Sequence, residues 1–315
     1  MSLLHQVLEV LADGEQHSGV ALARRLGVSR AAVSKAVGLA ADIPIAVDRR
    51  GYRLPSAFRP LDAARIEGLV AATGHSLDGL IIHEEIASTN QALLAAPGEG
   101  VYACLAERQT AGRGRRGRTW QASPYGSVLV SVAWTVTETA GPFGVVSLAA
   151  GVAVARALES VGVAGAVLKW PNDVLWQARK LAGILIEMRG EAGAMRVVVG
   201  VGINVALGPA AAAVIDQGWA ELCAIVPGID RSRLAAQVIS ELLAVMDDYR
   251  QGRAAALLTE WRRRHAFAGM AVRIHEGRES FAALVVDVDE EGALVVEVKG
   301  KRRRVQAGDV SVRPL

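Results

Sequence analysis

Ala111–Gly112–Arg113–Gly114–Arg115–Arg116–Gly117–Arg118–Thr119–Trp120 sets four arginines among three glycines. Glycine lets backbone approach a ligand closely, at an entropic cost when it is ordered. Arginine adds permanent charge and paired donors that suit carboxylate or phosphate. Such a loop is expected to order over an anionic ligand. A flexible basic surface loop or a nucleic-acid-binding arm is the alternative. Gly112, Gly114 and Gly117 satisfy a GxGxxG count, but the dinucleotide fingerprint requires a tight turn into a helix, not arginines in its gaps.

Outward from this loop, Val101–Glu107 and Ser127–Val136 read as strands, as do Val167–Trp170, Gly183–Met188 and Val197–Val205. Val145–Leu158, Arg233–Tyr249 and Ala254–Arg264 read as helices. Helices and strands do not alternate strictly, which predicts a mixed α+β sheet over residues 61–266 rather than a doubly wound one. Three further motifs fall in this segment. Lys169–Trp170–Pro171–Asn172–Asp173 is a strand end running into a turn, where Asn172 and Asp173 could hold a nucleotide hydroxyl or Mg²⁺; an ordinary turn fits as well. Lys180 precedes the apolar run at Gly183, so its ammonium either projects into a cleft or is a solvated strand flank. Gly200–Val201–Gly202–Ile203–Asn204 ends a strand in glycines, reading as a bulge or a close backbone approach. Ser88–Thr89–Asn90–Gln91 opens a helical run, and one of its hydroxyls is a plain N-cap.

The N-terminal segment, 1–60, has the pattern of a helix–turn–helix with a wing. Leu4, Val7, Leu8 and Leu11 form an amphipathic stripe that Gly14 ends. Ser18 can cap a second helix carrying Leu22 and Leu26, with Gly27 at its C-terminus. Ser29 can cap a third, with Val33 and Val37 inward. A hairpin follows, Ile45–Val47 and Tyr52–Leu54, turning at Arg49, Arg50 and Gly51, and Pro55 and Pro60 mark a linker. Residues 267–315 contain short strands at Met270–His275, Phe281–Val288 and Ala293–Val298, with turns at Gly277 and Glu291–Gly292, suggesting a small β-barrel. Lys301–Arg302–Arg303–Arg304 reads as a solvated strand edge, since charges there discourage edge pairing.

The 315 residues suffice for about two domains, with three small ones possible. At 51% hydrophobic and 21% charged, the composition excludes disordered, collagen-like, coiled-coil and mucin-like chains. The net charge of +3 resides wholly in residues 1–60. A neutral body with a basic N-terminal end points to nucleic acid there. Cys104 and Cys223 form no CxxC or disulfide framework and read as core thiols of a reducing compartment. The histidines show no metal-ligand spacing, and His83 and His265 read as surface or satisfied histidines rather than catalysts. No signal-peptide pattern is present, and Val145–Leu158, interrupted by Arg156, is too short to cross a bilayer. A cytoplasmic protein without a membrane partner is expected.

Taken together, these motifs resemble the biotin–protein ligases, and among them the bacterial form that is also the biotin operon repressor. The resemblance spans essentially the whole chain in the family's order. It implies an α+β multidomain protein: a winged helix–turn–helix (1–60), a mixed α/β ligase domain related to class II aminoacyl-tRNA synthetases (61–266), and an SH3-like barrel (267–315). It implies ATP, Mg²⁺ and biotin. Biotinyl-5′-AMP forms first and then passes biotin to a lysine of biotin carboxyl carrier protein. The adenylate also serves as corepressor, with dimerisation on operator DNA. By position, Lys180, Arg115 and Asp173 would be catalytic, Lys180 contacting carboxylate and α-phosphate. Ser88, Thr89, Asn90, Gln109, Gly112, Arg113, Arg115, Arg116, Gly117, Lys180, Gly183 and Gly202 would bind biotin. Arg118, Trp120 (stacked on adenine), Lys169, Asn172, Asp173, Asn204 and Arg313 would bind the nucleotide. Ser29, Arg30, Ser34 and Lys35 on the third helix, and Arg49, Arg50 and Arg53 on the wing, would contact DNA. The stretch Leu39–Ala–Ala–Asp–Ile–Pro is shorter than the family pattern, and Gly38 should weaken the recognition helix. A ligase without repression, and a ligand-sensing transcription factor without catalysis, are the rival readings; the latter predicts loss of Lys180 or of the arginine loop, and both are present. A lipoate–protein ligase shares the architecture, but the arginine–glycine loop with Lys169–Asp173 favours biotin.

Overall fold

The computed structural model describes residues 1–96, 98–136, 142–191, 194–215, 218–277, 279–307 and 310–315. The N-terminal elements are α1 (Leu3–Leu11), α2 (Gly19–Leu26), α3 (Arg30–Gly38), β1 (Ala46–Asp48) and β2 (Gly51–Arg53). Their boundaries are set locally. The Oγ atoms of Ser2, Ser18 and Ser29 each accept a backbone N–H of the first turn at 3.1 Å, and Gly27 ends α2 at φ 67°. Val7, Leu8, Leu11, Leu22 and Val33 close the core between the three helices. Gly38 is the last residue of α3, so its helix penalty falls at an end and not in the interior. β1 and β2 form an antiparallel hairpin held against the chain before α2, where His17 N donates to Tyr52 O at 2.9 Å.

The expected linker is not a free tether. Leu54, Ala57, Phe58 and Leu61 are buried, and Ser56–Phe58 forms a 3-10 turn. Leu61 N donates to Glu107 Oε1 at 2.6 Å. Glu107 in turn pairs with Arg231 at 2.6 Å, with both side chains essentially inaccessible (0% and 1%). Arg231 also donates to Ser127 O and Arg59 O, each at 2.9 Å. The chain at 59–61 is therefore fastened to two distant strands through one buried ion pair. Proline correctly signals extended backbone here, but extended backbone need not be exposed.

The middle of the chain comprises α4 (Ala63–Ala71), β3 (Gly79–Ile86), α5 (Thr89–Ala95), β4 (Tyr102–Gln109), β5 (Ser127–Val136), α6 (Phe143–Ser160), β6 (Val167–Lys169), β7 (Asp173–Trp176), β8 (Arg179–Glu191), β9 (Ala194–Asn204), α7 (Pro209–Val214), α8 (Arg231–Arg250) and α9 (Ala254–Arg263). Its seven-stranded sheet runs β3-β4-β5-β9-β8-β7-β6. Only β3–β4 is parallel, the mixed sheet that irregular alternation predicted. α6 is apolar around most of its circumference and is correspondingly buried, from Val145 to Leu158. Its interrupting charge is a clamp: Arg156 reaches Glu260 of α9 at 2.6 Å and Glu241 of α8 at 3.6 Å. α4, β3 and β7 were not expected from the sequence.

The C-terminal strands are β10 (Ala271–Glu276), β11 (Glu279–Val288), β12 (Leu294–Val298), β13 (Lys301–Val305) and β14 (Val310–Pro314), an antiparallel sheet in the order β13-β12-β11-β10-β14. β14 is an addition to the three expected strands. β13 lies at the sheet edge with Lys301 to Arg304 exposed, as read from the sequence, and its arginines pair with Glu276 and Asp289 at 2.5 Å. Trp170 Nε1 donates to Gly292 O at 3.1 Å, joining this sheet to the end of β6. Among the described residues no helix is long and apolar enough to cross a membrane. Burial pushes the Cys104 thiol up to about 12 and the Cys223 thiol up to about 11, which fits inert thiols. Burial also holds His265 down to about 4, with its ring 4.5 Å from that of Trp261.

Candidate active site

A cavity of about 870 Å³ opens over β5, β8 and β9, between the 112–120 loop and strand β14. Every residue expected to bind biotin or nucleotide lines it except Gly112 and Gly117, which shape the loop instead. The loop is a closed hairpin. Gly114 N donates to Arg118 O at 2.7 Å and Trp120 N to Gly112 O at 3.0 Å. Arg116 and Gly117 turn it at φ 62° and 69°. Arg113 is tied to Glu187 on β8 at 2.8 Å. Arg115 points an N–H toward Asn172 Oδ1 at 3.5 Å.

Lys180 opens β8 with its backbone clamped on both sides: its N donates to Gly218 O and its O accepts from Ala220 N, both at 2.9 Å. Its ammonium meets Asp173 Oδ1 at 2.6 Å and lies 5.3 Å from the Trp120 ring centroid. Asp173 begins β7, and its Oδ2 is 3.5 Å from Lys169 at the end of β6. The hairpin predicted as a turn at Pro171 thus brings two ammonium groups to one carboxylate. Burial pushes Lys169 below its ordinary pKa against the pull of Asp173, with Lys180 and Arg313 adding repulsion. The site is a cluster of fixed positive charge, partly desolvated, where anions are stabilised far more than in water.

The apolar wall is made by Gly183 and Gly202, partners across β8 and β9. The Trp120 indole lies directly on them: a Cβ at Gly202 would stand 2.5 Å from Trp120 Cε2, and one at Gly183 2.7 Å from Cζ3. Trp120 Nε1 is buried with no partner. The expectations that Trp120 faces a nucleotide and that the glycines face biotin therefore meet in one place.

At the far end, Ser88 caps α5, its Oγ accepting weakly from Gln91 N at 3.5 Å. Gln109 Oε1 accepts from Thr89 N at 2.8 Å and lies 3.1 Å from Thr89 Oγ1. Asn90 donates to Glu187 Oε2 at 2.9 Å. Ser131, wholly buried on β5, lies 2.7 Å from Thr89 Oγ1 and 2.6 Å from Asn90 Oδ1. Asn204 Nδ2 spans Lys180 O and Ala220 O at 3.3 and 3.2 Å, and its Oδ1 is buried without a partner. Asn172 Nδ2 donates to Ile184 O at 2.7 Å, locking the β7 turn to β8. Sequence reasoning missed Ser131 and Glu187, which sit in apolar strand runs, and Val214, Ile215 and Trp219, which line the cavity from the chain after β9.

Residues 84–204 match the model of the biotin/lipoate A/B protein ligase family, and residues 268–313 that of the biotin protein ligase C-terminal domain. The bifunctional ligase/repressor BirA of Escherichia coli is 37% identical over 98% of this chain and 96% of its own length. The chain belongs to the biotin protein ligase family. A biotin--[acetyl-CoA-carboxylase] ligase of Mycobacterium tuberculosis is 35% identical over 80% of this chain and 95% of its own. The biotin protein ligase of Aquifex aeolicus, solved with biotin and ATP, superposes with a TM-score of 0.65 at 24% identity, over 76% of this chain and 100% of that one. That likeness concerns the fold.

The residues expected at DNA lie apart from the cavity. Ser29, Arg30, Ser34, Lys35, Arg49, Arg50 and Arg53 are all exposed. Ser29 Oγ accepts from Ala32 N, which leaves its hydroxyl proton and one lone pair for a further partner. Arg50 is 3.6 Å from Asp48 across the hairpin turn.

Proposed function

We propose that this protein is an ATP-dependent biotin–protein ligase that forms biotinyl-5′-AMP and transfers biotin to a lysine of biotin carboxyl carrier protein, and that it also represses biotin biosynthesis genes in response to biotin. One observation carries the ligase reading: Lys180, Lys169, Arg113, Arg115, Arg116, Arg118 and Arg313 line one cavity together with the glycine pair Gly183 and Gly202. A carboxylate attacking a phosphate must be brought to it against charge repulsion. Pre-set cations lower that barrier and gain strength as the charge develops.

In the first step the biotin carboxylate attacks the α-phosphorus of ATP and pyrophosphate leaves. Lys180, oriented by Asp173 and held at its backbone, bridges the carboxylate and the α-phosphate. Arg115 and Arg116 close over biotin and its carboxylate, Arg118 reaches the nucleotide, and the loop's closure excludes water that would hydrolyse the mixed anhydride. Ser88, Thr89 and Gln109 hold the polar head of biotin, Asn90 backs them through Ser131 and Glu187, and Gly112, Arg113 and Gly117 shape the loop over it. Trp120, Asn172, Asn204, Lys169 and Arg313 serve the nucleotide. Among the described residues no three acidic, histidine or cysteine side chains gather as a metal site. Magnesium would enter with ATP and offset the charge of its phosphates, and Asn172 and Asp173 are the residues that would face it. In the second step the carrier lysine, as a free amine, attacks the acyl carbon and AMP leaves; Asp173 is the carboxylate placed to assist its deprotonation.

The N-terminal unit, residues 1–60, reads as a winged helix–turn–helix with α3 entering the major groove and the β1–β2 turn on phosphate. Few cationic contacts per chain favour a dimer on a two-fold operator, formed with the adenylate. Residues 61–266 would be the ligase domain, resembling class II synthetases, and 267–315 an SH3-like barrel closing the cavity with Arg313. The reading is tested by incubating the purified chain with apo carrier protein, biotin and MgATP, and weighing the carrier. Gain of one biotinyl group, dependent on both ligands, is expected; an unmodified carrier removes the ligase reading. Repression is tested by titrating DNA from upstream of the organism's biotin genes, with and without biotin plus MgATP, over a salt series. Specific binding only with both ligands is expected; salt-dependent binding alike on any sequence would leave a ligase alone.

A further inference from the structure

We propose that Ser131 and Glu187 are positioning residues that set the direction of a buried hydrogen-bond chain, so that Thr89 offers the ligand an acceptor and thereby selects a cyclic urea by its N–H. The inference rests on the biotin-ligase reading and adds to it two residues that touch no ligand themselves.

The direction follows from counting protons. Asn90 Nδ2 is 2.9 Å from Glu187 Oε2 and 3.2 Å from Leu185 O, both pure acceptors, so the amide nitrogen must face them. Gly200 holds this seat close, since a Cβ there would stand 2.2 Å from Asn90 Oδ1. Asn90 Oδ1 therefore faces Ser131 Oγ at 2.6 Å, and an amide oxygen can only accept, so the Ser131 proton is spent on it. Ser131 Oγ also lies 2.7 Å from Thr89 Oγ1, too close for two oxygens with no proton between them. The proton in that contact must then be the one on Thr89. Gln109 Oε1, at 3.1 Å, keeps the backbone N–H of Thr89 at 2.8 Å instead. With its own proton turned to Ser131, Thr89 Oγ1 keeps lone pairs for a ligand N–H in the cavity that Thr89 lines. Glu187 holds the other end, its Oε1 on Arg113 at 2.8 Å, so one carboxylate fixes both the amide and the loop arginine.

A buried acceptor of fixed direction rewards a ligand N–H and penalises a ligand oxygen at the same place. A site built around a substrate N–H rejects an isostere lacking it far more strongly than an apolar pocket rejects a missing methylene. The test uses biotin and its two cyclic-carbamate analogues, each with one urea N–H replaced by a ring oxygen, titrated calorimetrically into the wild-type chain and Ser131→Ala. In the wild type, one carbamate isomer should bind about 100-fold more weakly than biotin, or worse. In Ser131→Ala the Thr89 hydroxyl is free to turn its proton toward the carbamate oxygen, and the ratio for that isomer should fall at least about 10-fold. A role that is only structural would weaken all three ligands alike and leave the ratio untouched; an unchanged ratio in a variant that still binds biotin overturns the inference. A wild-type chain that binds none of the three removes the functional reading and this inference with it, and is told apart by the absence of any wild-type signal.

Discussion

Replacing Gly202 by alanine tests how the cavity wall is built. Gly202 sits on β9 between β5 and β8, paired with Leu129 on one side and Gly183 on the other. Strands fixed on both edges cannot retreat. The new Cβ would stand 2.5, 2.7 and 2.8 Å from Trp120 Cε2, Nε1 and Cζ2, closer than side-chain carbons approach, so the indole must leave the wall. A ring system laid on the glycine pair, from the protein or from biotin, meets the same methyl. One methyl in excess or deficit in a fitted apolar pocket is worth about 1–3 kcal/mol, or roughly 10- to 200-fold. KM for biotin in pyrophosphate release should therefore rise by about that factor. The KM for ATP should change less. The double variant Gly202→Ala/Trp120→Ala separates the two clashes. If the wall receives biotin, removing the indole does not restore KM. If KM is unchanged in the single variant, or recovers in the double, the glycine pair is a seat for Trp120 alone and the assignment of the biotin wall is wrong.

Three further outcomes are expected. Lys180→Ala leaves Asp173 without its 2.6 Å partner and the reacting anions without their bridging cation; adenylate formation should fall by at least about 100- to 1000-fold with the circular dichroism spectrum unchanged, and wild-type pyrophosphate release would refute the role. Arg231→Leu strands the Glu107 carboxylate in the core and should destabilise the chain by about 3–5 kcal/mol, read as a lower urea midpoint; an unshifted midpoint would mean that the 59–61 segment is not held through that pair. His265 is depressed from its ordinary 6.5 to about 4 by burial. Between those values the unfolded chain binds a proton that the folded chain refuses, so this residue withdraws stability as pH falls from 6.5 toward 4, by on the order of 3 kcal/mol. His265→Gln should flatten that part of the stability–pH curve, and a variant with the wild-type slope there would place the titration elsewhere.

What the sequence revealed divides by range. Ser18, Gly27 and Ser29 act within one turn of backbone, and the helix ends they predict are those observed. The long strands and the apolar helix α6 declare themselves by composition and period, within a few residues at the ends. α4 was missed because it buries little more than Ile66 and Val70, and β7 because its four residues follow directly on the Pro171 turn. In the site, residues in conspicuous motifs were legible: from Ser88 through the arginine loop and Lys180 to Gly202, nearly all line one cavity. Ser131 and Glu187 were not, because a polar residue in a strand declares its partner only after register is known; the pairing of Ser131 with Gly200 brings it to Asn90. Arg231 and Glu107 were invisible for the same reason, 124 residues apart and joined only in three dimensions.

Adenylate formation is read most directly as pyrophosphate release by the purified chain given biotin and MgATP with no carrier protein present. A biotin-dependent burst approaching one pyrophosphate per chain is expected, followed by slow turnover while the adenylate stays shielded under the arginine loop. No burst, or release of pyrophosphate at the same rate without biotin, would contradict adenylate formation in this cavity.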